Sequence, residues 1–325
     1  MSNKLNIRVS NDDRVFLNDM GISQAIDTLT YVSGKLVEQK FYEIPFADYV
    51  PTVFGEGAFS DEMVYYTNFA DSEGFDTGII SNGGRSASLE EVDTHYEKIS
   101  VTPFFWGKQT TYSVLELQQA MRMKNLPSLI ERREKVRYKE WQLGLQKTAF
   151  LGANGSTGLL NNPNITVNTS ILSNFIKDLS TANLNTFAGA LIGAYLNATN
   201  GIIFPDTLVI PQGDFAGLGN ATDATYPIKT RLGFLQEAFA LATHNPNFKI
   251  LPCFYCDKAN FNGTNNRYVL YNRSEEHMIF NINVDYTVTQ FASTNNFNFA
   301  SAGYGQVTPL ALLRPSTVFY FGHNL

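Results

Sequence analysis

The sequence predicts a mixed α+β fold whose C-terminal part is rich in β-strands. Helical periodicity over residues 171–180, 186–198 and 229–243 is interrupted by the short apolar strand DTLVIP. From residue 267 onward, four segments are typical of strands: RYVLYN, MIFNINVDYTVTQF, NFNFAS and LALLRPSTVFYF. Aromatic residues make up 13% of the chain, and this composition favours sheets with large buried contacts.

The overall composition is that of a folded globular protein. Of the 325 residues, 44% are hydrophobic and 17% are charged. The net charge of −6 argues against non-specific binding of nucleic acid through a basic surface. The N-terminus has no apolar signal region, and the longest apolar run, 186–196, is shorter than the ~18 residues of a membrane helix. We therefore expect a soluble protein that stays in the cytoplasm.

The first third of the chain predicts an arm followed by a long hairpin. Residues 1–40 form a polar arm with a weak helical patch. EMVYYTNFA has the aromatic and β-branched content of a strand, and the loop after it contains the turn signal Asn-Gly-Gly. The segment LEEVDTHYEKISVTPFFWGKQTTYS then returns in an extended conformation. Residues 61–105 are therefore predicted to protrude as a two-stranded excursion.

Two helices follow the hairpin. Ser113 with Glu116 forms a capping box for the first helix, and Ser128 with Glu131 forms another for the second. The second helix is predicted over residues 127–150, with a narrow apolar stripe surrounded by many charged side chains. Such a helix lies across a surface and not inside a core.

The glycine-rich segment FLGANGSTGLLNNP, at 150–163, does not fit a phosphate-binding loop. Such a loop follows a strand, contains Lys-Ser/Thr and precedes a helix. Here the glycines follow a helix and the loop contains no lysine. Gly152, Gly155 and Gly158 are better explained as residues that end the helix.

The sequence contains few side chains that could bind a metal or take part in catalysis. Cys253 and Cys256 fit half of a zinc site with His244 and His277, but the two histidines are too far apart for the compact ligand pairs of structural zinc. A redox pair would place the first cysteine at a helix start, whereas KILPCFYC is typical of a strand. Buried, inert thiols remain the simpler interpretation. We find no catalytic triad or carboxylate pair, and we expect no enzyme activity, cofactor or metal.

The order of elements resembles a known family. The hairpin, TTYSVLELQQA, the charged helix, FLGANGSTGLLNNPNIT, DTLVIPQGDFAGL and LLRPSTVFYF follow one another as in the major capsid proteins of tailed bacteriophages. Their Hong Kong 97-like fold is shared with encapsulin shells. The match is closest to the branch with a G…GLLN-P junction and a final R-P strand, and it covers residues 40–325.

The resemblance implies a division of the chain into parts. These are an N-terminal arm, 1–40; a peripheral domain, 41–60 and 106–165, with the spine helix 127–150; an extended loop, 61–105; an axial domain, 166–290; and C-terminal strands, 291–325, that return to the peripheral domain. Gly152, Gly155 and Gly158 would then form a structural hinge between spine helix and axial domain.

The resemblance also implies a function. Hexamers and pentamers of the chain would form the icosahedral head shell around double-stranded phage DNA, assembled in the host bacterial cytoplasm and without a membrane. The alternative is an encapsulin-like compartment that packages a cargo enzyme. A small-molecule enzyme on an unrelated α+β fold is a third interpretation.

Two departures from the family refine this expectation. Some members join subunits covalently through a lysine of the extended loop, but residues 61–97 contain no lysine. Others carry a long scaffolding segment that is cleaved off, and an arm of residues 1–40 is too short for that. We expect a non-covalent shell, and any scaffold, cement or portal protein would be a separate chain.

Charge predicts how subunits meet. Residues 61–97 contain nine acidic residues and one arginine, whereas residues 122–147 contain eight basic and three acidic residues. Each segment taken singly could be a solvated face, but two neighbouring segments of opposite sign suggest a contact. In the family the extended loop lies over the peripheral domain of the next subunit. The residues expected to meet are Glu90, Glu91, Asp93 and Glu97 on the hairpin and Arg132, Arg133, Arg137 and Lys139 on the helix.

Overall fold

A computed structural model describes residues 45–71, 93–122, 129–220, 229–290, 292–295 and 297–322. The predicted N-terminal arm and the tip of the predicted hairpin lie outside these ranges. No helix within them is long and apolar enough to cross a membrane.

The described residues contain seven α-helices and twelve β-strands. The helices are α1 Phe46–Tyr49, α2 Val114–Arg122, α3 Leu129–Leu151, α4 Thr181–Ala198, α5 Gln212–Gly217, α6 Arg231–Ala242 and α7 Lys258–Phe261. The strands are β1 Thr52–Phe54, β2 Met63–Asp71, β3 Asp93–Val101, β4 Phe104–Ser113, β5 Val167–Asn168, β6 Thr207–Pro211, β7 Lys249–Cys253, β8 Tyr268–Tyr271, β9 Met278–Val288, β10 Ala292–Asn295, β11 Asn298–Leu312 and β12 Val318–Phe321.

The chain divides into two compact units. In the described residues, the smaller unit contains 110–122, 129–136, 292–295 and 297–300. The larger unit contains the other described residues. The strands β4 and β11 and the helix α3 each contribute residues to both units.

In the smaller unit, the start of α2 is fixed by the predicted capping box. The Ser113 amide donates to the Glu116 carboxylate at 3.2 Å, and the Glu116 amide donates to the Ser113 hydroxyl at 3.1 Å. These two bonds satisfy donors that a helix start leaves without partners. This part of the prediction is confirmed.

The first sheet contains five strands, in the order β1-β9-β11-β10, with β4 also paired to β11. The pairing of β1 with β9 is parallel, and that of β9 with β11 is antiparallel with several register shifts. Within the described residues, β11 is the longest strand, at 15 residues. The sequence predicts two separate strands there, NFNFAS and LALLRPSTVFYF. In the structure β11 runs from the first segment into the start of the second, and the rest of the second contains a 3₁₀ turn at Pro315–Thr317 and strand β12.

The second sheet has the order β5-β12-β8-β6-β7, and its strands β6 and β8 are buried on both faces. Along β6, Leu208 and Ile210 pack into one hydrophobic cluster with α4 and α6, whereas Val209 packs into another with α3. This alternation follows from the two-residue period of a strand. A strand buried on both faces is a continuous apolar run, as predicted for DTLVIP.

The hairpin formed by β2 and β3 is a separate two-stranded sheet. The two strands pair antiparallel from Met63 opposite Val101 to Asp71 opposite Asp93. The outward rings of Tyr66 and Tyr96 are 70% and 68% exposed. The predicted two-stranded excursion is therefore present in the described residues.

The helix predicted over residues 171–180 is wrong. Leu172, Ile176 and Leu179 are buried, but only a short 3₁₀ turn is present, at Ile176–Asp178. The Asn168 carboxamide oxygen accepts from the amide of Ile171 at 3.2 Å, and the Asn174 carboxamide accepts from the next amide at 2.8 Å. Such side-chain bonds to the backbone compete with a helix.

The strands after residue 290 are divided between the two sheets. Strand β11 belongs to the first sheet, but β12 lies in the second sheet between β5 and β8. Strand β9, expected in the axial part, pairs with β1 and β11 in the first sheet. The C-terminal strands therefore contribute to both sheets, and the expected division into peripheral and axial domains stays a prediction.

Candidate subunit-contact surface

The acidic hairpin is only partly described. Glu97 lies on β3 opposite Thr67 and is exposed. Glu62 and Lys98 are about half exposed, and their charged atoms are 3.8 Å apart. Asp93 lies in the ladder, but its side chain is outside the described residues, as are Glu90 and Glu91 entirely. An exposed pair at this distance contributes little to stability.

Within the smaller unit, Arg133 is already engaged by its own chain. Its Nη2 lies 3.2 Å from the Glu116 carboxylate, and its Nη1 donates to the Thr111 carbonyl at 2.6 Å. The guanidinium also lies over the Tyr112 ring, 5.0 Å from its centroid. The Ser113 amide, and then Arg133, lower the pKa of Glu116 below its usual value. Arg133 therefore holds α3 to the start of α2.

Arg137 does not lie on the expected charged surface. It is 2% exposed. Its Nη1 donates to the Ser301 carbonyl at 2.7 Å and reaches the Lys108 carbonyl at 3.4 Å, and its Nε donates to the Tyr286 hydroxyl at 2.8 Å. Burial of a cation requires such partners. The expectation that Arg137 is an inter-subunit contact is therefore corrected, because its donors are used inside the larger unit.

The sequence does carry a signal for this burial. Arg137 precedes Trp141 by four residues, and a spacing of four places both side chains on one face of α3. Glycines on β11 make room for that face. A Cβ at Gly305 would lie 2.6 Å from the Trp141 ring, and a Cβ at Gly303 would lie 2.8 Å from the Arg137 Nε.

The remaining charges of α3 are more accessible. Arg132 and Lys139 are partly exposed. Glu140 forms an ion pair with Lys108, with the charged atoms 2.7 Å apart and both side chains about half exposed. Among the helix residues expected at the contact, Arg132 and Lys139 thus fit a surface role better than Arg133 and Arg137.

The glycine-rich loop ends α3 with a full set of hydrogen bonds. The Gly152 amide donates to the Thr148 carbonyl at 3.0 Å. The amides of Leu159 and Leu160 donate to the next two carbonyls, each at 3.0 Å, and the Asn161 carboxamide reaches the Leu151 carbonyl at 2.7 Å. The last four carbonyls of the helix, which normally lack helical partners, are all satisfied, one by Gly152 directly after the helix and three by the returning chain.

Two of the three loop glycines are required because a Cβ atom at either position would overlap nearby backbone atoms. Gly152 has φ of 78°, and a Cβ there would lie 2.1 Å from the Ser156 carbonyl oxygen. A Cβ at Gly158 would lie 2.4 Å from the carbonyl carbon of Phe150. Gly155 has φ of 80° but open space around it. The structure shows a tightly bonded corner, and the assignment of these glycines to a hinge stays a prediction.

The two cysteines are enclosed in the hydrophobic core. Cys253 and Cys256 are each 0% exposed. Burial raises the pKa of the Cys256 thiol, and its hydrogen bond with Cys253 raises it further. Within the described ranges, no group of three His, Cys, Asp or Glu side chains is placed to hold a metal ion. Protonated, buried thiols are poor nucleophiles and poor metal ligands.

The fold matches solved shell structures. The capsid of the Myoviridae phage XM1 is 17% identical, with a TM-score of 0.74, and the match covers 91% of this chain and 97% of that one. A Mycobacterium phage Ogopogo structure is 12% identical, with a TM-score of 0.57, covering 93% and 98%. The SrpI encapsulin of Synechococcus elongatus is 12% identical, with a TM-score of 0.52, covering 93% and 95%.

These likenesses show a Hong Kong 97-like fold. A comparison with curated protein sequences finds no match. The family model described as "Major capsid protein" matches residues 77–322, which is most of the chain. The chain therefore belongs to the major capsid protein family and is a structural shell protein.

Proposed function

We propose that hexamers and pentamers of this chain form the icosahedral head shell that encloses the double-stranded DNA of a tailed bacteriophage. The observation that carries the proposal is the family match over residues 77–322, which supports self-assembly and a place in the virion capsid. Assembly in the bacterial cytoplasm, a purely structural and non-catalytic role, and separate scaffold, cement and portal proteins complete the proposal.

Particles purified from infected bacteria test this function directly. We expect closed, megadalton particles by sedimentation and negative-stain microscopy, with this chain as the main protein and nuclease-protected double-stranded DNA inside. A chain that stays a small oligomer, or particles that contain no DNA at any stage, would contradict the proposal.

A second candidate is an encapsulin-like compartment. The likeness to the SrpI encapsulin supports it, although its TM-score of 0.52 is lower than that of the phage XM1 capsid. The same particles distinguish the two candidates. A compartment would contain a stoichiometric second protein and no protected DNA.

We place one subunit contact between the acidic hairpin of one copy and the basic side of α3 in the next. The hairpin contributes Glu90, Glu91, Asp93 and Glu97, and the helix contributes Arg132 and Lys139. Support comes from the opposite charges of the two segments and from the exposure of Glu97. Each exposed pair contributes only ~0.2–1 kcal/mol, but the contact repeats throughout the shell.

Charge reversal tests this contact. We expect Arg132→Glu with Lys139→Glu to weaken assembly at low salt, because acidic side chains then face an acidic hairpin. Adding Glu90→Lys and Glu91→Lys should restore it. The measurement is the fraction of chain in particles, by sedimentation, as a function of salt.

The control is Lys249→Glu with Lys258→Glu, which makes the same change in net charge at two exposed lysines elsewhere. Near 1 M salt, where the screening length is ~3 Å, wild type and reversal should converge. Normal assembly of the helix reversal at low salt, or no recovery in the combined variant, would show that these segments do not meet.

A further inference from the structure

The base of the hairpin presents an exposed pair of aromatic rings. Phe59 precedes β2, and Phe105 lies near the start of β4, just after β3. Their rings stack with centroids 6.1 Å apart and an interplanar angle of 27°. Phe59 is 63% exposed and Phe105 is 56% exposed. A stacked pair shields only one face of each ring, so a substantial apolar surface faces solvent.

Phe59 holds an unfavourable backbone conformation. Its φ is 61°, in the left-handed region that a bulky side chain rarely adopts. A strained residue persists only where its surroundings enforce the geometry, and such residues cluster at functional positions. Since the ring is exposed, this geometry serves no buried packing of the ring itself.

A buried side chain enforces this geometry. Gln306 on β11 is 0% exposed, and its carboxamide spans the Phe59 peptide. The Oε1 atom accepts from the Phe59 amide at 2.7 Å, and the Nε2 atom donates to the Ser60 carbonyl at 2.9 Å. The glutamine therefore fixes both sides of the strained residue.

Two further buried carboxamides, on Asn281 and Asn283, bind the turn that precedes Phe59. Asn281 and Asn283 on β9 are 0% and 1% exposed, and each donates to the Glu56 carbonyl, at 2.9 and 2.8 Å. The Thr308 hydroxyl in turn donates to the Asn283 Oδ1 at 2.7 Å. Buried polar groups are costly unless they are bonded in this way. This network thus fixes the backbone of the loop that carries the exposed Phe59 ring.

We infer that the Phe59–Phe105 pair is an apolar anchor that docks against a second copy of this chain. The inference rests on shell formation as proposed above, and it adds a contact that charge does not supply. A shell protein is surrounded by its own copies, and large aromatic residues are enriched among residues that carry binding energy. The pair adjoins the hairpin that is proposed to reach the next subunit, so both belong to one continuous surface.

The charges near the aromatic pair also favour a second copy of this chain as its partner. The exposed acids Glu56 and Asp61 lie within three residues of Phe59 in the chain, and the exposed Glu62 lies 3.8 Å from Lys98.

On the second copy, Val136 of α3 is 62% exposed and has Arg132 four residues before it and Lys135 next to it. The acid on the same side of α3 as Val136, Glu140, is paired with Lys108. Acidic residues near the aromatic pair and basic residues near Val136 favour contact between the two apolar sites.

The test compares Phe59→Gly, Phe105→Thr and the ring-retaining Phe59→Tyr and Phe105→Tyr. Glycine adopts a φ of 61° without strain, so Phe59→Gly removes the ring while the unassembled chain should stay as stable as wild type. Threonine keeps the strand preference of β4. The measurements are denaturant unfolding of the unassembled chain and the chain concentration at which megadalton particles form, at 0.1 M and 1 M salt.

We expect the Gly and Thr variants to raise the assembly concentration about tenfold at both salt concentrations, because an apolar contact is not screened. The tyrosine variants should assemble like wild type. Assembly of Phe105→Thr within twofold of wild type would overturn the anchor even if Phe59→Gly failed to fold. A wild-type chain that forms no particles would overturn shell formation itself, whereas unaffected assembly of both ring-removing variants would overturn the anchor alone.

Discussion

Replacing Gly152 by alanine is expected to lower the free energy of unfolding by about 3 kcal/mol or more. Two costs combine in this variant. A left-handed conformation costs a non-glycine residue ~1–2 kcal/mol, and overlap in a packed site costs a further ~1–3 kcal/mol. The overlap arises because the new methyl group would lie 2.1 Å from the Ser156 carbonyl oxygen. Relief of that overlap would pull the returning chain away from the end of α3.

The same loop supplies a matched control. Gly155 has nearly the same φ, 80° against 78°, but a Cβ there meets nothing within 4 Å. Gly155→Ala should therefore show only the conformational cost, ~1–2 kcal/mol. Denaturant unfolding of the unassembled chains measures both. Equal losses in the two variants would mean that backbone conformation alone, and not the close approach to Ser156, requires Gly152.

Replacing Arg137 by methionine is expected to cost about 3 kcal/mol of unfolding free energy. Methionine keeps a long apolar stem but donates no hydrogen bonds. The Ser301 and Lys108 carbonyls and the Tyr286 hydroxyl would each lose the guanidinium as a partner in a buried site. An unsatisfied buried acceptor costs ~1–3 kcal/mol, so the combined loss is large.

The control for this variant lies one helical turn earlier on α3. Arg133 is about one-third exposed in its side chain, and it pairs with a half-exposed Glu116. Arg133→Met should cost less than ~1 kcal/mol. Similar losses at both arginines, measured by denaturant unfolding, would show that the burial of Arg137 does not decide its role. A charge reversal at Arg137 would destabilise the subunit and could not report on an interface.

Sequence patterns over a few residues predict helix α3 and the capping box of α2, because both depend mainly on interactions between neighbouring residues. The predicted helix over 127–150 corresponds to α3 at Leu129–Leu151, although residues 127 and 128 lie outside the described ranges. The box of Ser113 and Glu116 is formed as predicted. Capping and periodicity act within a few residues, so the sequence alone carries that information.

Features that depend on distant contacts were not predicted. Its charge predicts that Arg137 lies at the surface, but its hydrogen-bond partners lie on β4, β9 and β11. The orientation of Phe59 depends on Gln306, which is 247 residues away. The spacing of four residues between Arg137 and Trp141 is a local signal for the burial of Arg137, but no local signal identifies partners at such separations.

The strand order of the two sheets also constrains when the chain can fold. In the first sheet β11 pairs with both β9 and β4, and in the second sheet β12 lies between β5 and β8. Neither sheet can close until residues 298–321 have been synthesised. Partial chains emerging from a ribosome therefore leave strand edges unpaired, and such edges bind other chains non-specifically. Chaperone binding would protect this protein most during the last stage of its synthesis, after most of the chain has emerged and before the two final strands are inserted.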